Sequence, residues 1–275
     1  NVSNPVSIAY EGSCLTESAA RDVAVSGGYA YIADYGTELT VCDVSSPSSP
    51  VRTGSCNDAS YGSAVRLAVD GTRVIVASQE GVLHCINAED PGDPVILKAH
   101  ASAVSGSAEG VALYGSHAYI ASGSEGLVVV SAASPVAAVP EGSLSSVGTP
   151  RSVALRGDYA FIADSGGCLR SVDSSTPGFP SVSCQMQGSP QKVTIAGDYA
   201  LVTGMDSGLQ FVNIGNPASP VHAGIVPDLE YETTNGVSVW GDIACVLVES
   251  GSATSIVAID IADILYPSVI DTLDT

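Results

Sequence analysis

Positive charge is what this sequence most lacks: 9 lysines and arginines stand against 29 carboxylates, for a formal net charge of −20. So negative a chain repels nucleic acid and anionic membrane surfaces, and neither is expected as a partner. Solubility or an extracellular medium accounts for the acidity, with a cation-seeking surface as the sharper alternative. Lys, Glu, Gln and Met are sparse, which argues against a helical protein. No uninterrupted apolar run of about 18 residues occurs, so no direct membrane insertion is expected. Residues 1–12 show no basic start followed by an apolar core, and a secretion signal, if the protein is exported, is expected to have been removed.

Motifs that carry chemistry are missing as well. None of the 7 cysteines has the C-x-x-C spacing of a zinc or redox site, and their odd number leaves at least one thiol unpaired. No G-x-S-x-G nucleophile elbow is present. His84, His100, His117 and His222 sit at unrelated positions, none with a second histidine within four residues. Residues 164–167 and 205–208 lack the alternating acidic ligands of an EF-type calcium loop and read as tight turns. No catalytic residue, metal or cofactor is therefore expected.

What the chain has in quantity is glycine (29), proline (15), valine, alanine and serine, the composition of many short strands joined by turns. Its organising stretch is residues 153–164, V-A-L-R-G-D-Y-A-F-I-A-D. The glycine of that stretch recurs six times, as Gly27, Gly71, Gly115, Gly157, Gly197 and Gly241, at spacings of 44, 44, 42, 40 and 44. Such a period means one small sheet per repeat, as in a propeller blade. Large apolar residues four and two before each glycine, such as Val23 and Val25 or Val153 and Leu155, flank a small one. That alternation predicts an inner strand packed between neighbours on both sides. A hairpin leads to a second strand. A third opens at Leu39, Leu83, Leu127, Leu169, Leu209 and Ile256. It ends at Asp43, Asn87, Ser131, Asp173, Asn213 and Asp260, side chains able to cap the following turn. Prolines then precede an outer strand, which they protect from stray pairing.

Residues 1–14 align without gaps on residues 43–56, so the chain opens with an outer strand. The expectation is an all-β chain, residues 1–275 forming a single β-propeller of six four-stranded blades, or alternatively seven, closed by that N-terminal outer strand. Residues 266–273 read as a further outer strand, so one of the two is surplus in a six-bladed ring. Cys42 with Cys56, and Cys168 with Cys184, each join a third strand to an outer one. Their registers within the repeat differ, so at most one pair is expected to be a disulfide, the other cysteines being small buried thiols.

The motif Y-A-[YF]-I-A-D followed by G-L-x-V-x-D-V-S-x-P-x-x-P resembles the LVIVD repeat, a β-propeller repeat of bacterial and archaeal proteins, many of them exported. The match is closest at residues 29–50 and 159–180 and clear at 199–220. It weakens at 72–94, where Arg73 replaces the tyrosine, and at 243–267. The resemblance implies the fold and an extracellular or cell-surface location, and it carries no catalytic motif.

Rare cations mark the candidate site. Arg21 and Arg151 lie six residues before their glycines, Asp34 and Asp164 seven after, and the other four repeats lack both members. Joint presence and absence predicts two structural ion pairs facing across the strands, Arg21 with Asp34 and Arg151 with Asp164. Arg66 and Lys192, one position further along, have no such partner in register, and with Glu109 they are the candidate ligand-binding residues. With Arg21, Asp22 and Arg151 they would form a mixed-charge collar at one mouth of a central channel, suited to a small anion or a peptide carboxylate, or else merely solvated. The function expected is a noncatalytic extracytoplasmic module binding a protein or glycan at the cell surface. The alternatives are a hydrolase or lyase at the channel mouth, and a structural subunit that self-assembles through its surplus terminal strand.

Overall fold

Every anchor glycine occupies the first position of a two-residue hairpin loop, with φ between +55° and +61°. A Cβ at any of the six would meet nothing within 4 Å. The torsion alone, not crowding, therefore demands glycine. The computed structural model describes residues 8–58, 63–100, 104, 106–123, 125–132, 139–145, 148–175, 181–229, 232–251 and 253–274.

These residues form six four-stranded antiparallel sheets, or blades, divided between two compact units. The first unit, Glu11–Ser146, holds three. Blade 1 consists of β1 (Ala20–Ser26), β2 (Tyr29–Asp34), β3 (Thr37–Asp43) and β4 (Val51–Cys56). Blade 2 consists of β5 (Ala64–Asp70), β6 (Arg73–Ser78), β7 (Leu83–Asn87) and β8 (Val95–His100). Blade 3 consists of β9 (Ala108–Tyr114), β10 (His117–Ser122), β11 (Gly126–Ser131) and β12 (Val139–Leu144). In this unit β5 packs between β1 and β9. Leu39, Val41, Leu67 and Val76 fill the seam between blades 1 and 2, and Ile75, Leu83, Ile120 and Val128 that between blades 2 and 3. Each such side chain stabilises by about 1.5–3 kcal/mol.

The second unit comprises Val147–Thr275 with Asn1–Tyr10. Its blade 4 consists of β13 (Pro150–Arg156), β14 (Tyr159–Asp164), β15 (Cys168–Asp173) and β16 (Ser181–Gln185). Blade 5 consists of β17 (Ser189–Ala196), β18 (Tyr199–Met205), β19 (Leu209–Asn213) and β20 (Val221–Ile225). Blade 6 consists of β21 (Thr233–Trp240), β22 (Ile243–Ser250), β23 (Ala253–Asp260) and β24 (Ser268–Asp274). Phe161, Leu169 and Val193 pack between blades 4 and 5, and Phe211, Val246 and Ile259 between blades 5 and 6.

Repeat features recur as backbone bonds. In all six blades the amide just beyond or next to the end of the third strand donates to the carbonyl of the hairpin residue after or beside the anchor glycine, as in Val44 to Gly28 and Ser174 to Asp158. Asp43, Asn87, Asp173, Asn213 and Asp260 accept the amide two residues on, at 2.8–3.0 Å, which caps the turn as their residue type requires. Two arginines tie neighbouring blades within a unit: Arg73 donates to the Gly115 and Ala132 carbonyls, and Arg156 to the Ile214 carbonyl and Asp198.

The chain ends and the cysteines bear on two further expectations. The fourth strand of the last sheet is β24, from residues 268–274. Residues 8–14 form no strand, Ile8 donating its amide to the Asp271 carboxylate at 2.8 Å, and residues 1–7 of the expected closing strand lie outside the described residues. The disulfide joins Cys14 to Cys42, while Cys56, Cys168 and Cys184 are free. Register explains this, because Cys42 faces Arg52 across the strands and Cys56 faces Leu39. Leu67, Val153, Val193 and Val237, each four residues before its glycine, are buried.

Candidate functional site

The site grows from an irregularity shared by all six inner strands. Six residues before each anchor glycine the cross-strand register skips one residue: Arg21, Val65, Glu109, Arg151, Gln191 and Asn235. Such a bulge leaves its residue unpaired and re-aims the side chain. In blades 1, 2 and 4 it is closed by a bond from the amide just past the second strand to the carbonyl before the first: Tyr35 to Ala19, Gln79 to Ser63, Ser165 to Thr149.

This bulge overturns the register on which the two predicted ion pairs depend. Ala20 faces Asp34 and Pro150 faces Asp164, so neither arginine stands directly across from its aspartate. Arg21 instead lies over the ring of Tyr35, 5.1 Å from its centroid. Asp34 is fully buried, and its Oδ2 accepts bonds from the Glu17 and Ser18 amides and the Thr40 hydroxyl. Asp164 is also buried, and the cation that engages it is Arg170, at 2.9 Å. The Thr149 and Gly166 amides and the Cys168 thiol complete its shell. Burial alone would push the Asp164 carboxyl up, but the two amides, Arg170 and the thiol outweigh it and hold the group below the usual aspartate range. Both aspartates thus organise the loop entering their blade.

In the first unit, the bulges of blades 1, 2 and 3 converge on a pocket of about 240 Å³. Arg21, Val65 and Glu109 line it as the bulge residues themselves. Tyr35 and Gln79 contribute from the turns that close two of the bulges, and Ser107 and Ala108 from the start of β9. Arg66, next to the bulge of blade 2, completes the lining. Its Nε donates to the Glu109 carbonyl and its Nη1 to the Val65 carbonyl, both at 2.7 Å. The guanidinium is therefore pinned between two inner strands. The equivalent position in blade 1 works alike, Asp22 accepting the Leu67 amide at 3.1 Å, and in blade 4 Ser152 accepts the Val193 amide at 3.3 Å.

Of the collar expected from sequence, Arg21, Arg66 and Glu109 are thus brought together. Lys192 and Arg151 belong to the second unit, at the corresponding stretch of their own inner strands. Tyr35 and Gln79 were missed by sequence reasoning. A signal existed: each lies eight residues after its glycine, next to the position compared for aspartate.

Titratable groups away from the pocket look structural. Glu38, 2% exposed, is pushed up by burial while accepting the Asp58 amide. Burial pushes the Cys56 thiol up to about 12 and those of Cys85 and Cys168 to about 11, which keeps them protonated and unreactive. His117 pairs with Glu141 at 2.8 Å and His222 with Gln210 at 3.1 Å. Among the described residues no three metal-ligating side chains come together.

Comparison with known proteins bears on fold and family. The LVIVD repeat profile matches residues 18–58, 105–135, 147–186 and 187–228, more than half of the chain. The chain belongs to the LVIVD-repeat family. The unmatched stretches include blade 2, where Arg73 departs from the motif, and blade 6. No curated protein sequence matches this LVIVD-repeat chain. Among solved structures, it is similar to the β-propeller domain of Cps50 (Swd1) from Myceliophteria thermophila, at 12% identity and TM-score 0.76, covering 94% of this chain and 88% of that one. BamB from Moraxella catarrhalis matches at 15% identity and TM-score 0.61, covering 94% and 75%. U3-55K matches at 11% identity and TM-score 0.73, covering 94% and 83%. At such identities the likeness concerns fold alone, and with the six sheets it makes the LVIVD-repeat chain a six-bladed β-propeller.

Proposed function

We propose that this propeller is a noncatalytic, extracytoplasmic binding module whose partner, a protein or glycan at the cell surface, docks at the bulge end of blades 1 to 3. One observation carries the reading: two of the chain's 9 cations line a single pocket in a protein of net charge −20. Fixed positive charge amid a negative surface directs a ligand to one place and rejects others. Loops and strand ends held by a rigid sheet scaffold are where such sites are commonly built. The Cys14–Cys42 disulfide supports the compartment, since such bonds persist in oxidising surroundings.

The test is capture of purified surface proteins and glycans from the source organism by the intact chain, repeated with Arg21→Glu plus Arg66→Glu. Binding that the double variant loses is the expected result. A chain that binds nothing while consuming a substrate would replace this reading with a hydrolase or lyase.

A further inference from the structure

We infer that the pocket of blades 1 to 3 receives the C-terminal carboxylate of a peptide, an inference that rests on reading this pocket as the docking site. Arg66 spends only two of its five N–H donors on the Val65 and Glu109 carbonyls, and those two bonds fix the plane of the guanidinium. A planar fork held in one orientation matches a planar carboxylate, which it engages through paired hydrogen bonds. Arg21, exposed and carried on the Tyr35 ring, brings a second guanidinium to the same pocket. Glu109 also lines the pocket, so the two guanidiniums leave it one formal net positive charge, and Val65 beside them offers apolar surface for a small terminal side chain. Gln79 and Ser107 offer polar atoms for the last peptide group.

Size and charge narrow the ligand further. A pocket of about 240 Å³ is smaller than those that enclose a drug-sized molecule, and suits the end of a chain rather than its middle. A ligand bearing one negative charge meets less repulsion from a chain of net charge −20 than a phosphate or a polyuronate does. Sugar rings dock on open aromatic faces, and Arg21 already lies over one face of the Tyr35 ring. A peptide terminus is therefore favoured over a glycan.

The experiment uses the full chain and fluorescein-labelled pentapeptides ending in Ala, Val or Leu, each made as the free acid and as the C-terminal amide. Fluorescence polarisation should show the free acids binding and the amides weakened by about tenfold or more, the worth of a lost charge-assisted pair. Arg66→Gln should abolish that discrimination. Arg21→Gln, an exposed change with little risk to folding, should reduce it, and Lys98→Gln, on the outer strand of blade 2 and off the pocket lining, should leave it unchanged. Equal binding of acid and amide, lost in Arg21→Glu plus Arg66→Glu, would sink the carboxylate inference while leaving the docking site intact. Discrimination that survives the double variant would place the carboxylate elsewhere and sink the inference. Competition by glucuronate or inorganic phosphate but by no free-acid peptide would turn the site over to a glycan or a phosphate. No binding by any peptide, together with failure to capture any surface partner, would remove both readings.

Discussion

Blades 1 and 4 carry the same aspartate seven residues after the anchor glycine and the same arginine six before it, yet they use them with different partners. In blade 4 the buried Asp164 is met by Arg170, a cation arriving from the third strand. In blade 1 the residue at that third-strand position is Thr40, which gives Asp34 a neutral hydroxyl, while Oδ1 of Asp34 has no hydrogen-bond partner. Blade 1 is braced covalently instead, by Cys14–Cys42, whereas the cysteines of blade 4 stay thiols. What these two blades share is a carboxylate that gathers loop amides. The counter-group is left to each blade, and because Asp34 does not engage Arg21, that arginine is available at the pocket.

The comparison breaks most visibly at the covalent brace. Cys14→Ser should lower stability by about 3.5 kcal/mol, the chain-entropy value for a loop of this length, read from the urea midpoint. Cys168→Ser, which removes a buried thiol and no crosslink, should cost far less. Losses of equal size would mean that the two blades are braced alike. Next in size is Asp164→Ala, expected to cost about 3 kcal/mol because it strands a largely buried arginine. Asp34→Ala leaves only amides and a hydroxyl unmet and should cost about 2 kcal/mol. A larger loss at Asp34 would reverse the ranking of the two sites.

Acid sharpens the same contrast. Asp164 has a folded-state pKa below its unfolded value, so its contribution is fully present above the unfolded value, about 3.9, and is lost as pH falls through the folded one. The native chain should therefore lose stability more steeply than Asp164→Asn as pH falls below about 4, compared by thermal melts. Thr40→Val, which deletes the hydroxyl on Asp34 while keeping its shape, should cost about 1–2 kcal/mol in the same assay. Smallest of all, Arg21→Gln should leave the melting temperature unchanged within error, since the guanidinium rests on an exposed ring and not on Asp34. A marked drop would restore Arg21 to a bracing role.

Much of this architecture was legible in the chain because its signals are local. Glycine at a positive-φ loop position, alternation around it, and Asp or Asn capping the next turn each act within a few residues, so six copies announce six sheets. Arg66 stood out for a related reason, being a rare cation with no counterpart in register, and Glu109 because the repeats disagree at its position. The ion pairs were misread because spacing from the glycine assumes an unbroken ladder, and the bulge at Arg21 and Arg151 moves the register by one residue. Nothing in the residue types at those positions announces a bulge.

By itself, then, the sequence determined the six repeats, the hairpin at each glycine, the alternation of each inner strand, and the resemblance to the family. The tertiary structure alone decided that Cys42 bonds Cys14 and not Cys56, that Arg170 and Thr40 serve the two aspartates, and that three bulges meet to hold Arg21, Arg66 and Glu109 about one pocket. The reason is range: turns and alternation are set by neighbouring residues, whereas disulfides, counter-charges and pockets join residues from different strands or blades, which only the packed register brings within reach.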